Sequence, residues 1–321
     1  MTRRYVYLGP EGTFAEQALR SLPEARRARL EPAPSVPEAL EAVRAGEADA
    51  ALVPLENSVG GAEGVTLDEI ANGSPLLITR EVVIAVNFVL GARTAVPLDT
   101  IRTVAAHPNA ARQCRGWLRD HLPGATVVEV LSNGAAAVFA AEGTYDAAIC
   151  APVGAARNKL AVLAEQIADH KDSLTRFALV GPPGPPPPPT GDDVTSLAVY
   201  ISADRVGALL LVLTELAVRG INLTRIESRP SGERLGRYVF FLDCTGHVAT
   251  ARMGEALQGL HRVCAEVKFL GSYPRSPLPG EQRGGRGRTA RPPVAAPPGM
   301  SDEDFAESAA WLHRLRTGDL S

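Results

Sequence analysis

Two hydrophobic periods alternate along the first 181 residues of the chain. Short apolar runs of the kind that form buried strands are separated by segments whose apolar residues recur at helical spacing. The predicted strands cover residues 5–8, 48–54, 82–90, 103–106, 126–130 and 147–151, and two predicted helices cover 110–121 and 135–141. This alternation predicts an α/β domain of two lobes, with the chain returning to the first lobe near residues 165–180.

Several predicted helices begin at a hydroxyl residue that is followed three positions later by glutamate. In such a capping box the hydroxyl accepts a backbone N–H bond, and the glutamate side chain returns to the start of the helix. The pairs are Thr13 with Glu16, Ser35 with Glu38, and Thr66 with Glu69. We therefore expect one helix to begin at about Phe14 and read residues 56–61 as the loop after the strand at 48–54.

A different order of elements follows in residues 195–273. The apolar spacing predicts a strand, a helix, two strands that form a hairpin, a second helix and a last strand. These elements cover residues 195–203, 208–219, 222–231, 237–246, 250–263 and 266–273. This βαββαβ order is typical of ferredoxin-like folds.

Composition marks the boundaries between these regions. A run of prolines in residues 182–194 predicts a semi-rigid spacer of the polyproline type. Residues 274–321 are rich in Pro, Gly and Arg at their start and are predicted to be a disordered tail. Within that tail, residues 301–316 are compatible with one short helix, because Phe305, Ala309, Leu312 and Leu315 lie roughly on one stripe.

Overall composition is compatible with a cytoplasmic enzyme of two or three domains. The chain has 321 residues and a net charge of -3, which gives no reason to expect nucleic acid or a membrane surface as a partner. Its four cysteines are widely spaced and are interpreted as core residues in a reducing compartment. No apolar signal segment precedes the first strand and no run has the length of a membrane span.

Candidate chemistry concentrates where loops meet helices. Backbone N–H groups are free at helix starts and in glycine loops, and such places bind anions. The candidate substrate-binding residues at these junctions are Gly12, Thr13, Asn57, Ser58, Ser132 and Asn133. Together with Arg176 they predict a small polyanionic substrate, while the absence of GxGxxG and GxxxxGK[ST] motifs argues against a dinucleotide or P-loop site.

Several motifs, in order along the chain, resemble those of the prephenate dehydratase family. They are Tyr7-Leu8-Gly9-Pro10-Glu11-Gly12-Thr13-Phe14, Val53-Pro54-Leu55-Glu56-Asn57-Ser58, His107 with Gln113-Cys114, and Leu174-Thr175-Arg176-Phe177. Residues 195–273 resemble an ACT regulatory domain, with Gly207-Ala208-Leu209-Leu210 and Glu227-Ser228-Arg229-Pro230 similar to the phenylalanine-binding signature of that domain.

The resemblance implies a fold and an activity. A catalytic domain over residues 1–181 would be two-lobed like a type II periplasmic binding protein, with lobe 1 at about 1–80 plus 165–181 and lobe 2 at about 81–164. The implied reaction is the decarboxylative dehydration of prephenate to phenylpyruvate, which needs no cofactor and no metal. The implied assembly is a homodimer or homotetramer.

Within the motifs, the resemblance makes Thr175 the catalytic donor and Arg176 a partner for a substrate carboxylate. Strand geometry conflicts with this pair, because consecutive side chains of a regular strand point to opposite faces. Glu11 and Glu56 are possible acids but are more typical of helix caps. His107 is interpreted in the same way, as a cap or core residue rather than a catalytic one.

The ACT resemblance implies a site for phenylalanine. Its residues would be Gly207, Ala208, Leu209, Leu210, Asn222, Leu223, Glu227 and Ser228. A free helix N-terminus at Gly207 would take the carboxylate of the amino acid, and Glu227 would take its ammonium group or stabilise the loop.

Two other functions are considered at the level of the sequence. Arogenate dehydratase performs the same chemistry on an aminated side chain. A non-catalytic amino-acid sensor would keep both folds without turnover, although an intact Thr175-Arg176-Phe177 motif argues against it.

Overall fold

The computed structural model describes residues 2–170, 172–201, 206–231, 238–279 and 296–318. The chain forms two compact units. The first contains the residues up to Glu69 together with Val82–Pro182, and the second contains Ile70–Glu81 together with the chain from Pro183 onward. In the described part of the chain, no helix combines the length and the apolar character needed to cross a bilayer.

The chain up to Gly181 alternates strands and helices. Its elements are β1 (Arg4–Leu8), α1 (Phe14–Ser21), β2 (Arg29–Ala33), α2 (Val36–Arg44), β3 (Ala50–Asn57), β4 (Gly61–Ala62), α3 (Gly64–Ala71), β5 (Leu77–Ala85), β6 (Val89–Ala92), β7 (Thr103–Ala106), α4 (Pro108–Gln113), α5 (Arg115–His121), β8 (Thr126–Glu129), α6 (Asn133–Glu142), β9 (Ala147–Cys150), α7 (Pro152–Arg157), β10 (Ala161–Ala164) and β11 (Leu174–Gly181).

Two sheets form the two lobes of the first unit. The first sheet has the order β2-β1-β3-β11-β5, with β4 paired to β3, and the second has the order β10-β6-β9-β7-β8. Strands β1, β2 and β3 are parallel, whereas β11 returns antiparallel to β3. The predicted two-lobed α/β architecture is therefore confirmed, and the chain comes back to the first sheet at β11.

Local predictions succeed at two helix starts and fail at a third. Thr13 and Ser35 cap α1 and α2 by accepting the N–H groups of Glu16 and Glu38. Thr66 caps nothing: helix α3 begins two residues earlier, and the Thr66 hydroxyl donates to the carbonyl of Pro54 at 2.6 Å. That tertiary bond explains why a cap-like residue lies inside the helix.

Three predicted elements have different bounds in the structure. The predicted strand 48–54 runs on to Asn57, because its last residues pair with β11, so residues 56 and 57 are not loop. The predicted strand 82–90 is two strands, β5 and β6, and the predicted helix 110–121 is interrupted at Cys114.

Each lobe has its own apolar core. In the first lobe Leu19 and Leu52 are fully buried among residues of β1, α1 and β3. In the second lobe Leu90 and Ile149 are equally buried. Phe14, at the start of α1, packs edge-on against Phe88 with ring centroids 5.3 Å apart, so a side chain of the first lobe contacts the core of the second.

The second unit contains the predicted βαββαβ order. Its elements are β12 (Asp193–Tyr200), α8 (Ala208–Ala217), β13 (Leu223–Pro230), β14 (Tyr238–Thr245), α9 (Ala251–Val263), β15 (Glu266–Pro274) and α10 (Asp302–Thr317). The four strands form an antiparallel sheet in the order β13-β14-β12-β15. Side chains such as Leu197 and Leu242 form an apolar core with both helices α8 and α9.

The opposite face of this sheet is also buried. It carries a polar chain in which Ser196 donates to Asp243 at 2.6 Å and Arg225 donates to the same carboxylate at 2.8 Å. Asp243 is fully buried, so the arginine supplies the opposite charge that a carboxylate needs in such a place. The Ser196 hydroxyl also lies 2.7 Å from the Tyr273 hydroxyl.

Residues Ile70–Glu81, which precede the second lobe in sequence, pack with this sheet. Lys268 Nζ donates to the carbonyl of Ala71 at 2.9 Å, and the Ser276 N–H donates to Glu81 at 2.7 Å. At Gly271 a β-carbon would overlap the carbonyl of Ile78, so the backbones can approach this closely only at a glycine.

The C-terminal helix α10 begins with a capping box formed by Ser301 and Asp304. Arg252 of α9 forms an ion pair with Asp302 at 3.0 Å and donates to the carbonyl of Met300. A helix was expected in this part of the tail. Much of the predicted disordered segment, residues 280–295 and 319–321, lies outside the described residues.

Candidate active site

A cavity of about 710 Å³ lies between the two lobes of the first unit. Its walls on one side come from the loop after β1, the start of α1, the loop after β2, and strands β3 and β11. On the other side they come from the end of β7 and the start of α6. Among the described residues, this lining contains no Lys, Arg, Asp or Glu side chain.

Thr175 lies in this lining, and its hydroxyl is held by Asn57 on the neighbouring strand. The two residues are paired in the β3–β11 register, and Asn57 Nδ2 donates to Thr175 Oγ1 at 2.9 Å. The amide cannot be turned over, because Asn57 Oδ1 accepts the N–H groups of Val59 and Gly60 at 3.0 and 2.7 Å. Since Asn57 fills the role of donor to the threonine oxygen, the Thr175 proton is available to a molecule in the cavity.

Ser58 supports the same region of backbone. Its hydroxyl accepts the Leu174 N–H at 2.9 Å, and its own N–H donates to the Leu174 carbonyl at 2.9 Å. Neither Asn57 nor Ser58 belongs to the cavity lining. Both residues, predicted as substrate contacts, are therefore placed where they hold Thr175 and the start of β11.

Arg176 is on the other face of the strand. Thr175 and Phe177 both line the cavity, whereas Arg176, which lies between them in the strand, does not. This agrees with the alternation of side chains between the two faces of a strand. Its Nε lies 3.7 Å from a carboxylate oxygen of Glu56, the residue opposite it in register. Of these two consecutive residues, the lining therefore contains Thr175 and not Arg176, and the contact of Arg176 with substrate stays a prediction.

Two helix starts face the cavity from opposite lobes. Thr13 caps α1, and Ser132 caps α6 by accepting the Ala135 N–H at 2.9 Å. The first N–H groups of such helices have no acceptor within the helix, so they present a positive end to the cavity. Asn133, also in the lining, has a buried Oδ1 with no protein donor among the described residues.

Gly12 does not present its N–H to the cavity, because that group donates to the Glu16 carboxylate at 2.6 Å. Instead Gly12 packs against two glycines of the other lobe. A β-carbon at Gly134 would overlap the carbonyl of Glu11, and one at Gly154 would lie 2.7 Å from the carbonyl of Gly12. The loop after β1 and the starts of α6 and α7 therefore touch backbone to backbone.

Charged side chains lie beside this glycine contact. Glu16 is fully buried and bonds both Arg20, at 2.8 Å, and Arg157, at 3.2 Å. Arg157 of α7 also pairs with Glu11. Burial, with Glu16 and Glu11 as neighbours, raises the pKa of Tyr7 above its usual value.

His107 lies in the lining at the end of β7, and its ring caps α4. Asn109 N–H donates to His107 Nδ1 at 3.2 Å. Burial and, secondarily, Arg112 lower the pKa of this histidine, while Glu129 acts in the opposite direction. The interpretation as a cap is confirmed, but the residue also faces the cavity, which sequence spacing could not reveal.

The four cysteines have no sign of chemical reactivity. Burial raises the pKa of Cys114, Cys150 and Cys244 to about 12, and that of the half-buried Cys264 to about 11. A thiol with such a pKa stays protonated and is a poor nucleophile near neutral pH. In the described residues there is also no cluster of three or more His, Cys, Asp or Glu side chains suited to a metal ion.

The predicted phenylalanine site lies at the start of α8 and along β13. Gly207 has φ +83°, caps α8, and a β-carbon there would meet nothing within 4 Å. Leu210 is 65% exposed, and Glu227, on β13, is paired with Phe241 of β14. Among the other predicted members, Asn222 and Ser228 are exposed, whereas Ala208, Leu209 and Leu223 are half-buried.

Comparison with family models decides the classification. Residues 5–184 match the model described as prephenate dehydratase, and residues 195–262 match the ACT domain. The chain belongs to the prephenate dehydratase family. The resemblance drawn from the sequence motifs is thereby confirmed, and so is the fold that it implied.

Relatives of this family match over the full length. A prephenate dehydratase of Amycolatopsis methanolica is 46% identical, over 98% of this chain and 99% of its own. Among solved structures, the prephenate dehydratase of Arthrobacter aurescens in complex with L-Phe has a TM-score of 0.86 and 44% identity, covering 98% of this chain and 99% of its own.

A third similar structure carries a different description. GqqA, described as a novel type of quorum-quenching acylase, has a TM-score of 0.75 and 28% identity, covering 86% of this chain and 99% of its own. Membership of the prephenate dehydratase family therefore rests on the family model and the full-length relatives, and the fold alone would not decide the activity.

Proposed function

We propose that this protein converts prephenate to phenylpyruvate at the cavity beside Thr175, and that its ACT domain binds phenylalanine as the controlling ligand. The observation that carries the proposal is the bond from Asn57 to Thr175, which leaves the threonine proton for a ligand in the cavity. Family membership and the full-length relatives support the same reaction.

The reaction needs little covalent chemistry from the protein. The bond between the ring and its carboxylate breaks, carbon dioxide leaves, and the electron pair moves into the ring. As that pair moves, the ring carbon–oxygen bond breaks, and the oxygen leaves with its bonding electrons as hydroxide, which takes a proton from solvent to become water. Because the ring becomes aromatic, the protein has only to bind the dianion in the right geometry and to stabilise the departing hydroxyl.

Thr175 suits the second task. The residue is only 9% exposed and its oxygen already accepts a bond from Asn57, so its O–H can donate a hydrogen bond to the oxygen that leaves. A hydrogen bond to an oxygen that gains negative charge is stronger than one to a neutral oxygen. The bond therefore stabilises the transition state more than the bound substrate.

The helix starts of the two lobes suit the first task. Thr13 of α1 and Ser132 of α6 mark two positive helix ends that face one cavity. Prephenate has two carboxylates, and a helix N-terminus binds one such group through free N–H donors. Lining residues from both lobes would then contact one ligand, which favours binding in a closed arrangement.

The test is phenylpyruvate formation from prephenate by the purified full chain. Thr175→Ala should lower kcat by about 100-fold or more, the usual contribution of a positioned proton donor, with an unchanged unfolding transition. Thr175→Ser keeps the hydroxyl and should retain most of the activity. Near-normal turnover by Thr175→Ala would disprove the role of this residue. If the protein converts arogenate but not prephenate, arogenate is its substrate.

The proposed control by phenylalanine is tested in the same assay. The related Arthrobacter aurescens structure is described with L-Phe, and the ACT segment of this chain has an open glycine at the start of α8. Phenylalanine would act by binding one of two conformations better than the other. Glu227→Gln should weaken inhibition and leave the uninhibited rate unchanged, whereas full inhibition of this variant would argue against Glu227 as the ammonium partner.

The location and the assembly remain predictions. A cytoplasmic enzyme that forms a homodimer or homotetramer is what the sequence leads us to expect. Sedimentation of the purified chain with and without phenylalanine would measure its mass in solution directly.

A further inference from the structure

His107 lines the cavity next to the start of helix α6. It follows β7, and β7 pairs in parallel with β8 so that Ala106 lies opposite Glu129. The Val130 N–H donates to the Ala106 carbonyl at 3.0 Å, which continues the pairing towards Ser132. His107 and the first turn of α6 are therefore neighbours at one edge of the second sheet.

The hydrogen bond to Asn109 determines which ring nitrogen carries the proton. A neutral imidazole has one N–H and one acceptor nitrogen. Because Nδ1 accepts the Asn109 N–H, the proton is on Nε2. The lowered pKa keeps the ring neutral near pH 7, so His107 is a donor at Nε2 without carrying a charge.

In the described part of the chain no atom accepts a bond from His107 Nε2, and the ring is part of the cavity lining. The described lining has no Lys or Arg side chain that could meet a carboxylate. The neighbouring α6 offers the N–H groups of Asn133 and Gly134, the first two of the helix, which have no acceptor within it.

We propose that the Nε2–H of His107 and the N-terminus of α6 together bind one carboxylate of the substrate. The proposal rests on the proposed function, since it names the group of prephenate that the second lobe holds. His107 acts as a neutral hydrogen-bond donor beside a helix dipole, and it does not transfer a proton. Its role is therefore in binding rather than in the departure of the hydroxyl group.

Two substitutions distinguish the acceptor role of Nδ1 from the donor role of Nε2. Asparagine at position 107 can still accept the Asn109 N–H, since asparagine is a good N-cap residue, but it has no donor where Nε2 lies. Glutamine places an amide nitrogen near the Nε2 position. His107→Asn should raise KM about tenfold with kcat changed less than about threefold, while His107→Gln should stay within about threefold of the parent KM.

A binding measurement accompanies the kinetics. Phenylpyruvate keeps one carboxylate of the substrate, so its dissociation constant from calorimetry should rise for His107→Asn by a similar factor if that carboxylate is the one bound here. If the product constant is unchanged while KM rises, the ring carboxylate, which is lost in the reaction, is the one that His107 holds. Thermal unfolding of both variants serves as the control for folding.

Three results would overturn the proposal. Unchanged KM and unchanged product binding in a folded His107→Asn would show that the donor is not used. Equal losses in both variants, with lowered unfolding temperatures, would show that the ring acts only as a cap. If the parent protein binds phenylpyruvate but does not convert prephenate, the proposed function fails, and with it the identity of the ligand.

Discussion

The cavity and the contact beside it are built from opposite kinds of residue. The described cavity lining uses hydroxyls, an amide, a neutral imidazole and helix starts. The contact between the lobes, a few residues away, uses Glu16, Arg157 and Glu11 around closely packed glycines. The difference teaches that formal charges here are paired within the protein, while neutral dipoles are left to meet a charged ligand.

A physical reason favours this division. A cationic side chain facing an empty cavity would lose hydration or attract any anion, whereas a helix start offers fixed donors at no cost in side-chain entropy. A buried carboxylate such as Glu16 needs its counter-charges whether or not substrate is present. The following predictions test whether the two regions are separable in this way.

The largest effect is expected where the lobes meet through backbone. Gly134→Ala puts a methyl group against the Glu11 carbonyl, so the loop and α6 must separate, and overpacking of this kind costs about 1–3 kcal/mol. We expect kcat/KM to fall by about 100-fold or more, because the cavity spans the same two elements.

Gly124→Ala is the matched control, since a β-carbon there meets nothing within 4 Å. Its activity and its unfolding midpoint should match those of the parent protein. A fully active Gly134→Ala would mean that the close approach of the lobes is not needed for turnover.

A smaller loss is expected from the charged cluster. Glu16→Gln keeps an acceptor for the Gly12 N–H but removes the charge that faces Arg20 and Arg157. Loss of a buried charged hydrogen-bond partner costs about 1–3 kcal/mol, to be measured as the free energy of unfolding in urea. Arg20→Gln, at the exposed end of the cluster, should cost less than about 1 kcal/mol. Equal losses of unfolding free energy in the two variants would contradict the view that the burial of Glu16 determines the size of the effect.

Arg176 offers a test of a charge just behind the lining. If it acts only through Glu56, then Arg176→Gln and Glu56→Gln should lower kcat/KM by similar amounts, about tenfold, by disturbing the neighbouring Asn57. The double variant should be no worse than either one, because residues in one ion pair are not additive. A much larger rise in KM for Arg176→Gln alone would instead support the contact with substrate that the sequence motif implied.

The smallest effect separates a cap that faces the cavity from one that does not. Ser132 and Ser35 each cap a helix by accepting one backbone N–H, and alanine at an N-cap costs about 1 kcal/mol. Both variants should therefore lose similar stability in thermal unfolding. Only Ser132→Ala should also raise KM, by about two- to fivefold, and an equal KM in both variants would remove Ser132 from the binding site.

Much of this architecture could be predicted from the sequence because the evidence is local. The caps at Thr13 and Ser35, the alternation of strands and helices, and the βαββαβ order all depend on residues close together in the chain. The end of β3 could not be predicted in this way, because residues 56 and 57 are polar and are typical of a loop. Only their pairing with β11 makes them part of the strand. Thr66 misled for a similar reason, since its partner is the distant carbonyl of Pro54.

The candidate site divides in the same manner. The motif made Thr175 the candidate donor and Arg176 the candidate carboxylate partner, and only their placement on β11 separates the residue that lines the cavity from the one that pairs with Glu56. Gly12 was predicted to bind substrate through its N–H, but Glu16 occupies that group. His107 was interpreted as a cap or core residue, and its place in the cavity lining became visible only in the tertiary structure.

By itself, the sequence determined the family, the order of the elements, the helix starts and the identity of the polar residues that could bind an anion. These follow from spacing and residue type, which do not depend on the rest of the fold. Only the tertiary structure decided which side of β11 faces the cavity, which donors are already used within the protein, and that Ile70–Glu81 packs with the ACT sheet. Those outcomes depend on hydrogen bonds and packing between residues far apart in the chain, so no local pattern could contain them.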